Sequence, residues 1–170
     1  MRIVLLLLCS VLFLPLSALA QTGVYATFNA SDFDLPNIDW QYGPAFGIYH
    51  DAWHLPFVGI GIDARASFIG SGSTKIYSGL VGPRVDLHPH VLPLKPYAEA
   101  LIGGGKVEFG QGVARTDKSA FQYQLLAGVD LTIFPLVDWR VAEFSYSGFS
   151  SIGEPFHPKT ISTGIVVRLP

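Results

Sequence analysis

Apolar and polar side chains alternate along the last stretch of the chain, from Thr160 to Leu169. Ile161 and Ile165 are among the apolar positions of one face, whereas the opposite face carries polar, small or charged residues as far as Arg168. A period of two predicts a β-strand, because successive side chains of a strand point to opposite sides of its sheet. This pattern alone allows the apolar face to meet either a protein core or lipid.

The same alternation recurs upstream and predicts eight strands in total. The predicted strands are Val24–Ser31, Trp40–Tyr49, Phe57–Phe68, Lys75–Leu87, Tyr97–Val107, Phe121–Ile133, Asp138–Ser147 and Thr160–Leu169. Each is close to the length of about 9–11 residues with which a tilted strand crosses a bilayer.

The segments between these strands alternate in character. At one end we predict tight or proline-marked connections at His50–Pro56, Leu87–Pro93 and Phe134–Leu136. At the other end we predict polar and mostly longer connections at Asp32–Asp39, Ile69–Thr74, Gly105–Ser119 and Gly148–Lys159. Short turns at one end and long loops at the other are typical of up-and-down barrels in outer membranes.

Eight charged residues share the polar face of their predicted strands. They are Asp63, Arg65, Arg84, Asp86, Glu99, Asp130, Glu143 and Arg168. A water-exposed face would carry many Lys and Glu residues, but this face mixes a few charges with glycines and large polar side chains that can interlock inside an eight-stranded barrel. We therefore predict a buried structural network of charges, with Arg84 paired to Glu99 on the neighbouring strand.

Aromatic residues lie near both predicted ends of the strands. One group is Trp40, Tyr42 and Phe68, and the other is Trp53, Phe57, Phe134 and Trp139. Tyr and Trp favour the two membrane–water interfaces, which favours a membrane barrel, although aromatic residues are also common in strands of any kind.

The first 20 residues are predicted to be a cleavable signal peptide. Arg2 precedes an apolar run, and Ala18-Leu19-Ala20 has the small residues of a cleavage site, so the mature domain is expected to be residues 21–170. Cys9 lies within this segment, which leaves no cysteine for disulfide or thiol chemistry downstream. Without Arg2 the chain carries 10 basic and 13 acidic residues, and this balance predicts no nucleic acid partner.

The chain resembles the small outer-membrane β-barrel family that includes the OmpA transmembrane domain and OmpX. Besides the eight alternating strands, the resemblance rests on the spacing of a carboxy-terminal assembly signal at Ser162, Gly164, Val167 and Leu169. The family usually ends in Phe or Trp, whereas this chain ends in Leu169-Pro170. The resemblance implies an all-β, eight-stranded antiparallel up-and-down transmembrane β-barrel that the barrel assembly machinery inserts.

Two groups of residues raise the question of chemistry at the barrel ends. Histidines occur in two predicted turns at the same end, as His50, His54, His88 and His90. They lack the cysteines or carboxylate cluster of a recognisable zinc site, so no metal and no cofactor is predicted. One long connection collects the residue types of a lipid-modifying enzyme, namely Ser150, Ser151, Glu154 and His157, but their spacing fixes no geometry.

These observations predict a non-enzymatic protein of the cell outer membrane of a Gram-negative bacterium, with a packed, largely closed interior and a structural or surface-interaction role. Its expected partners are outer-membrane lipids and an unknown extracellular partner that the long loops contact. The alternatives are a narrow pore, a lipid-modifying enzyme at the outer rim, or a soluble periplasmic binder similar to lipocalins. The last alternative requires the apolar face of the strands to point inward.

Overall fold

The chain forms a closed antiparallel β-barrel of eight strands, so the predicted fold class is confirmed. The computed structural model describes residues 22–32, 40–71, 74–89, 92–109, 116–150 and 157–169. The strands are β1 Thr22–Asp32, β2 Gln41–His54, β3 Val58–Ser71, β4 Thr74–Leu87, β5 Leu94–Phe109, β6 Thr116–Phe134, β7 Val137–Phe149 and β8 Lys159–Leu169. No helix in these ranges is long and apolar enough to cross a membrane. The predicted signal peptide lies outside the described residues.

Each strand pairs with its neighbours in the sequence, and β8 closes the barrel against β1. Following paired residues once around the barrel from Ile60 leads back to β3 at Gly70, ten residues further along. Eight strands with this stagger have a tilt of about 40° and a backbone radius of about 8 Å at ordinary strand spacing. Such a barrel holds little more than the side chains that point into it.

The apolar faces of the strands point outward, as the membrane-barrel interpretation requires. Phe28, Phe46, Val81 and Phe144 are exposed on the outer surface, whereas the charged residues of the alternating positions lie inside. Leu80, Leu101 and Leu126 are among the apolar residues that share the inward face, and they form a small buried cluster with Tyr97. A lipocalin-like binder would need the opposite orientation, with the apolar face inside.

Several strands extend further than the sequence predicts. β2 continues to His54 rather than ending at Tyr49, and the β2–β3 connection is the tight turn 55–57. At the opposite end, β3 and β4 reach so far that only residues 72–73 join them, and β5 and β6 leave only 110–115 between them. The predicted loops Ile69–Thr74 and Gly105–Ser119 are therefore largely strand, because exposed polar residues pair as readily as apolar ones once a neighbouring strand supplies hydrogen bonds.

Two bulges change which side chains reach the interior. In β7, Asp130 pairs with Arg140 and Val129 with Ala142, so Val141 is an extra residue without a partner. The predicted alternation placed Val141 inside with Glu143, but the bulge instead turns Arg140 and Asp138 inward. In β2, Asp51 is buried in phase with Tyr49, and the register shift between Asp51 and Trp53 turns Trp53 to the outer surface.

Exposed aromatic residues mark two levels of the outer surface. Trp40, Tyr42, Phe68 and Tyr77 lie towards the 33–40 and 72–73 connections, and Phe28–Tyr42 and Phe68–Tyr77 are ring pairs. The other level contains Trp53, Phe57, Phe134 and Trp139. With one bulged residue between them, Tyr42 and Trp53 are separated by about 25 Å along the barrel axis at the estimated tilt.

Candidate functional site

Three arginines and three carboxylates alternate in a closed ring inside the barrel. Arg65 binds Glu143 with both terminal nitrogens, at 2.5 and 2.8 Å, and its Nη2 also lies 3.5 Å from Glu99. The Arg84 Nη1 lies 2.5 Å from Glu99 Oε1 on the neighbouring strand. These contacts join β3, β4, β5 and β7 across the lumen.

The remaining contacts of the ring run through Asp130 and Arg140. Arg84 Nη2 lies 3.6 Å from Asp130, and Arg140 Nε donates to Asp130 over 3.0 Å. Arg140 Nη1 then donates to Glu143 over 3.1 Å, which completes the ring. All six side chains are at most 4% exposed, and their formal charges sum to zero. Each buried charge therefore has an opposite partner on either side, which is what offsets the desolvation of both.

Buried tyrosines fill the space around the arginines of the ring. The Arg84 guanidinium lies between the rings of Tyr49 and Tyr97, at 4.2 and 4.1 Å from their centroids. Arg140 lies between Tyr25 and Tyr97 at 4.3 and 4.5 Å. Such stacking uses the flat guanidinium face and leaves its edge for the carboxylates. The ring is therefore held by packing as well as by charge.

The tyrosine hydroxyls extend the network to further carboxylates. Tyr97 donates to Glu143 over 2.6 Å, and Tyr25 donates to Asp63 over 2.8 Å while accepting from Arg65 Nε over 2.9 Å. Asp63 is fully buried, and Tyr25 links it to Arg65 of the ring. The interior is thereby connected from β1 to β7.

Each of these tyrosines lies over a glycine that is its direct cross-strand partner. The pairs are Tyr25–Gly47, Tyr49–Gly23 and Tyr97–Gly128. A Cβ at Gly128 would lie 2.5 Å from the Tyr97 hydroxyl, so only glycine leaves room for the ring to lie flat against the sheet. This interlocking explains why the polar face of the predicted strands mixes glycines with large polar residues.

A second, smaller cluster lies at the end with the short connections. Buried Asp138 accepts hydrogen bonds from Arg168 at 3.1 Å and from Lys95 at 3.3 Å. His88 Nε2 lies 2.8 Å from Asp86. Arg168 and Lys95 are partly exposed at this rim, so this cluster contacts solvent where the ring does not.

Among the described side chains, those in the other half of the interior are uncharged. Leu80, Leu101 and Leu126 pack together next to the ring, and beyond them hydroxyl and amide side chains bond to one another. Ser31 bonds Thr160 at 2.7 Å, and Ser67 bonds Ser78 at 2.5 Å. A charged solute would have to displace both this layer and the ring in order to pass through.

All eight charges predicted from the sequence lie on the inner face, but they form two groups. Asp63, Arg65, Arg84, Glu99, Asp130 and Glu143 belong to the ring network, whereas Asp86 and Arg168 lie in the rim cluster. Sequence reasoning missed Arg140 and Asp138, whose inward facing depends on the bulge. The signal was available: Asp138 and Arg140 alternate with Val137 and Trp139, out of phase with Glu143 and Ser145.

The candidate histidine and loop residues do not form one site among the described residues. His50 is exposed and bonds Thr22 Oγ1 at 2.8 Å, whereas His88 bonds Asp86. His157 stacks on Tyr146, and the Ser150 amide donates to Phe121. Ser151, Glu154 and His90, as well as the His54 side chain, lie outside the described residues. In the described part, no group of three or more potential metal ligands occurs.

The residues of the expected assembly signal occupy both faces of β8. Ser162 and Gly164 face the interior, and Val167 and Leu169 are exposed on the outer surface. The role of these residues in assembly stays a prediction. Pro170 lies outside the described residues.

This fold is that of the small outer-membrane β-barrels, which confirms the resemblance at the level of fold. The chain is similar to the solved structure of Neisserial surface protein A, with a TM-score of 0.65 and 16% identity over 87% of this chain and 96% of that chain. It is also similar to Ail, the attachment invasion locus protein of Yersinia pestis, with a TM-score of 0.56 and 15% identity over 87% and 96%.

A third similar structure is the N-terminal β-barrel domain of Pseudomonas aeruginosa OprF, with a TM-score of 0.53 and 10% identity over 85% of this chain and 96% of that chain. No protein-family model matches the sequence, and no curated protein matches it. The similarity therefore lies in the backbone architecture.

Proposed function

We propose that this protein is an outer-membrane β-barrel whose interior is a packed plug and whose role is structural or that of a surface-interaction protein. The observation that carries the proposal is the combination of an apolar outer surface with a neutral, fully paired ring of charges inside. An exposed apolar surface of this extent is stable in lipid and not in water. The distance of about 25 Å between the two aromatic levels fits the apolar band of such barrels.

The packed interior is an argument against transport. A barrel of eight strands has an interior just wide enough for side chains. Here the ring and the hydroxyl layer lie in series along that interior. The narrow-pore alternative would need both to open.

The first test is where the protein resides. We expect the mature chain to be recovered with outer membranes, to require detergent for extraction, and to migrate differently on gels before and after heating. Recovery from the soluble periplasm would contradict the proposal. Reconstituted into a planar bilayer, the protein is expected to give no steady conductance, and regular single-channel steps would favour the pore instead.

The surface role is tested by orientation. An epitope inserted into connection 110–115 is expected to bind antibody on intact cells, because long connections of such barrels face the outside. The matched control is the same epitope in connection 88–93, which is expected to bind only after the cells are opened. The reverse labelling would overturn the proposed orientation.

The alternative of a lipid-modifying enzyme at the outer rim has its own test. A loss of lipid A modification in Ser151→Ala and His157→Ala variants would favour the rim enzyme.

A further inference from the structure

A hydroxyl group lies in the apolar part of the outer surface on β8. Thr163 is exposed on the outer face of that strand, between Ile161 and Ile165, which are exposed as well. A polar side chain that faces lipid is costly unless it is hydrogen-bonded, because hydrocarbon offers it no partner. Thr163 takes part in two hydrogen bonds, and both join it to β7.

The first bond runs from Thr163 to the backbone of β7 at the bulge. Thr163 Oγ1 donates to the carbonyl oxygen of Arg140 over 2.9 Å. Arg140 pairs with Gly164, and the pairing of β7 with β8 resumes only at Glu143, beyond the extra residue Val141. The hydroxyl therefore supplies a bond between the two strands where the ladder of backbone bonds is interrupted.

The second bond adds the indole of Trp139. Its Nε1 donates to Thr163 Oγ1 over 3.2 Å. Trp139 is the direct partner of Ile165, so the indole leans along the outer surface to reach Thr163, two residues away on β8. The hydroxyl thus accepts one hydrogen bond and donates another. We call Trp139, Thr163 and the Arg140 carbonyl together the outer clasp.

Arg140 connects the outer clasp to the interior. Its carbonyl is bonded on the lipid side of the wall, and its guanidinium belongs to the ring on the inside. If the bulge lay one residue earlier, Arg140 would become the extra residue and Val141 would turn inward, because a shift of one residue inverts the facing of a strand. The place of the bulge therefore decides whether Arg140 reaches the ring.

We propose that the outer clasp holds the bulge of β7 at Val141 and thereby keeps the Arg140 guanidinium in the ring. Thr163 and Trp139 are positioning residues that act on the ring from the opposite side of the barrel wall. The inference rests on the proposed function, since the clasp matters only where no water reaches the outer surface to bond the backbone instead.

The first test is urea unfolding of the folded protein in lipid vesicles. Thr163→Val keeps the shape of the side chain but removes the hydroxyl, and it is expected to raise the equilibrium constant for unfolding about tenfold. Thr163→Ser keeps the hydroxyl and is expected to stay within about twofold of the wild type. Equal effects of the two substitutions would overturn the proposal.

The matched control is the same substitution in a chain without the bulge. Deletion of Val141 removes the extra residue, so β7 and β8 can pair without interruption. In that background Thr163→Val is expected to change the unfolding constant by less than about twofold, since no break in the ladder is left to bridge. A tenfold effect in both backgrounds would show that the hydroxyl does not act on the bulge.

Hydrogen exchange in lipid nanodiscs tests the effect on the ring itself. By NMR, the indole N–H of Trp139 and the Arg140 Nε–H, which donates to Asp130, are both expected to exchange about tenfold faster in Thr163→Val than in the wild type or in Thr163→Ser. Trp139→Phe assigns the indole signal. If only the indole exchanges faster, the clasp does not reach the ring and the proposal is wrong.

The proposed function fails in a different way from the clasp. Heat-dependent gel migration of the wild-type protein reports whether it folds as a membrane barrel at all. A wild type without this behaviour would contradict the proposed function. Normal migration with equal unfolding and exchange in all variants would overturn the clasp alone.

Discussion

At the scale of single residues, Arg140 combines buried ion pairs with packing against aromatic rings. It is fully buried, bonds two carboxylates on β6 and β7, and lies between two tyrosine rings. Removing one partner from a buried ion pair leaves an uncompensated charge, which costs more than the pair contributed. The ring therefore depends on each member far more than a surface ion pair would.

Arg140→Met is expected to lower the free energy of unfolding by about 3–5 kcal/mol, because Asp130 and Glu143 each lose a buried positive neighbour. Urea unfolding in lipid vesicles, followed by tryptophan fluorescence, measures this change. The control is Arg168→Met, which removes a partly exposed arginine while Lys95 still pairs with Asp138. We expect that control to cost about 1 kcal/mol or less, and equal costs for the two variants would contradict the ring as the main internal constraint.

A second residue-scale prediction concerns the glycine beneath Tyr97. Gly128→Ala is expected to destabilise the barrel by about 1–3 kcal/mol, because the buried, hydrogen-bonded tyrosine cannot move away from the new methyl group. Gly104→Ala is the matched control, since its Cβ points into open space on the outer surface. Urea unfolding in lipid vesicles measures this change as well. An equal loss of stability in both variants would show that strand propensity, and not the tyrosine contact, causes the loss.

At the scale of elements, the polar positions of β7 change phase at Val141. Before the bulge Asp138 and Arg140 face inward, and after it Glu143 and Ser145 do. A one-residue shift inverts every side chain of a strand. The bulge is therefore what allows Arg140 and Glu143 to enter the same ring.

Deletion of Val141 is expected to leave a foldable strand, because Trp139, Arg140, Ala142 and Glu143 would then alternate without interruption. Deletion of Ala127 in β6, a position that pairs in regular register with both β5 and β7, would invert the residues of β6 beyond it and is expected to prevent folding. Heat-dependent gel migration after refolding into vesicles reports the folded fraction. If both deletions behave alike, the bulge does not set the facing of β7.

The sequence predicts most of the fold because alternation is a local property. Val24 to Ser31 or Phe121 to Ile133 each reveal their inner and outer faces without knowledge of their neighbours, and the structure confirms those assignments. The bulge at Val141 interrupts this alternation, so the sequence pattern does not predict that Arg140 faces inward. The stacking of Tyr97 on Arg84 and Arg140 depends on register across three strands, which no single segment encodes.

At the scale of the whole molecule, the barrel is inverted relative to a water-soluble protein. Its outer surface exposes large apolar residues at every strand, and the charges of the ring are enclosed. Both features have one explanation if lipid surrounds the barrel, because the hydrophobic effect then no longer drives apolar residues inward. The free-energy cost of placing a charged side chain on the outer surface is therefore expected to depend on its depth in the bilayer and not on its exposed fraction.

Two positions on β4 have nearly the same exposed fraction but lie at different depths of the outer surface. Val81 and Leu87 are exposed to nearly the same fraction, 45% and 46%, but Val81 lies near the middle of the outer surface and Leu87 at the end of its strand. Val81→Arg is expected to lower the free energy of unfolding in vesicles by about 2–4 kcal/mol, and Leu87→Arg by about 0–1 kcal/mol. The two variants would behave alike if water surrounded the barrel, since arginine is hydrated equally at both positions. We expect this difference to grow in thicker bilayers, because Val81 then lies further from either interface. That result would show that the stability of this fold depends on the surrounding membrane.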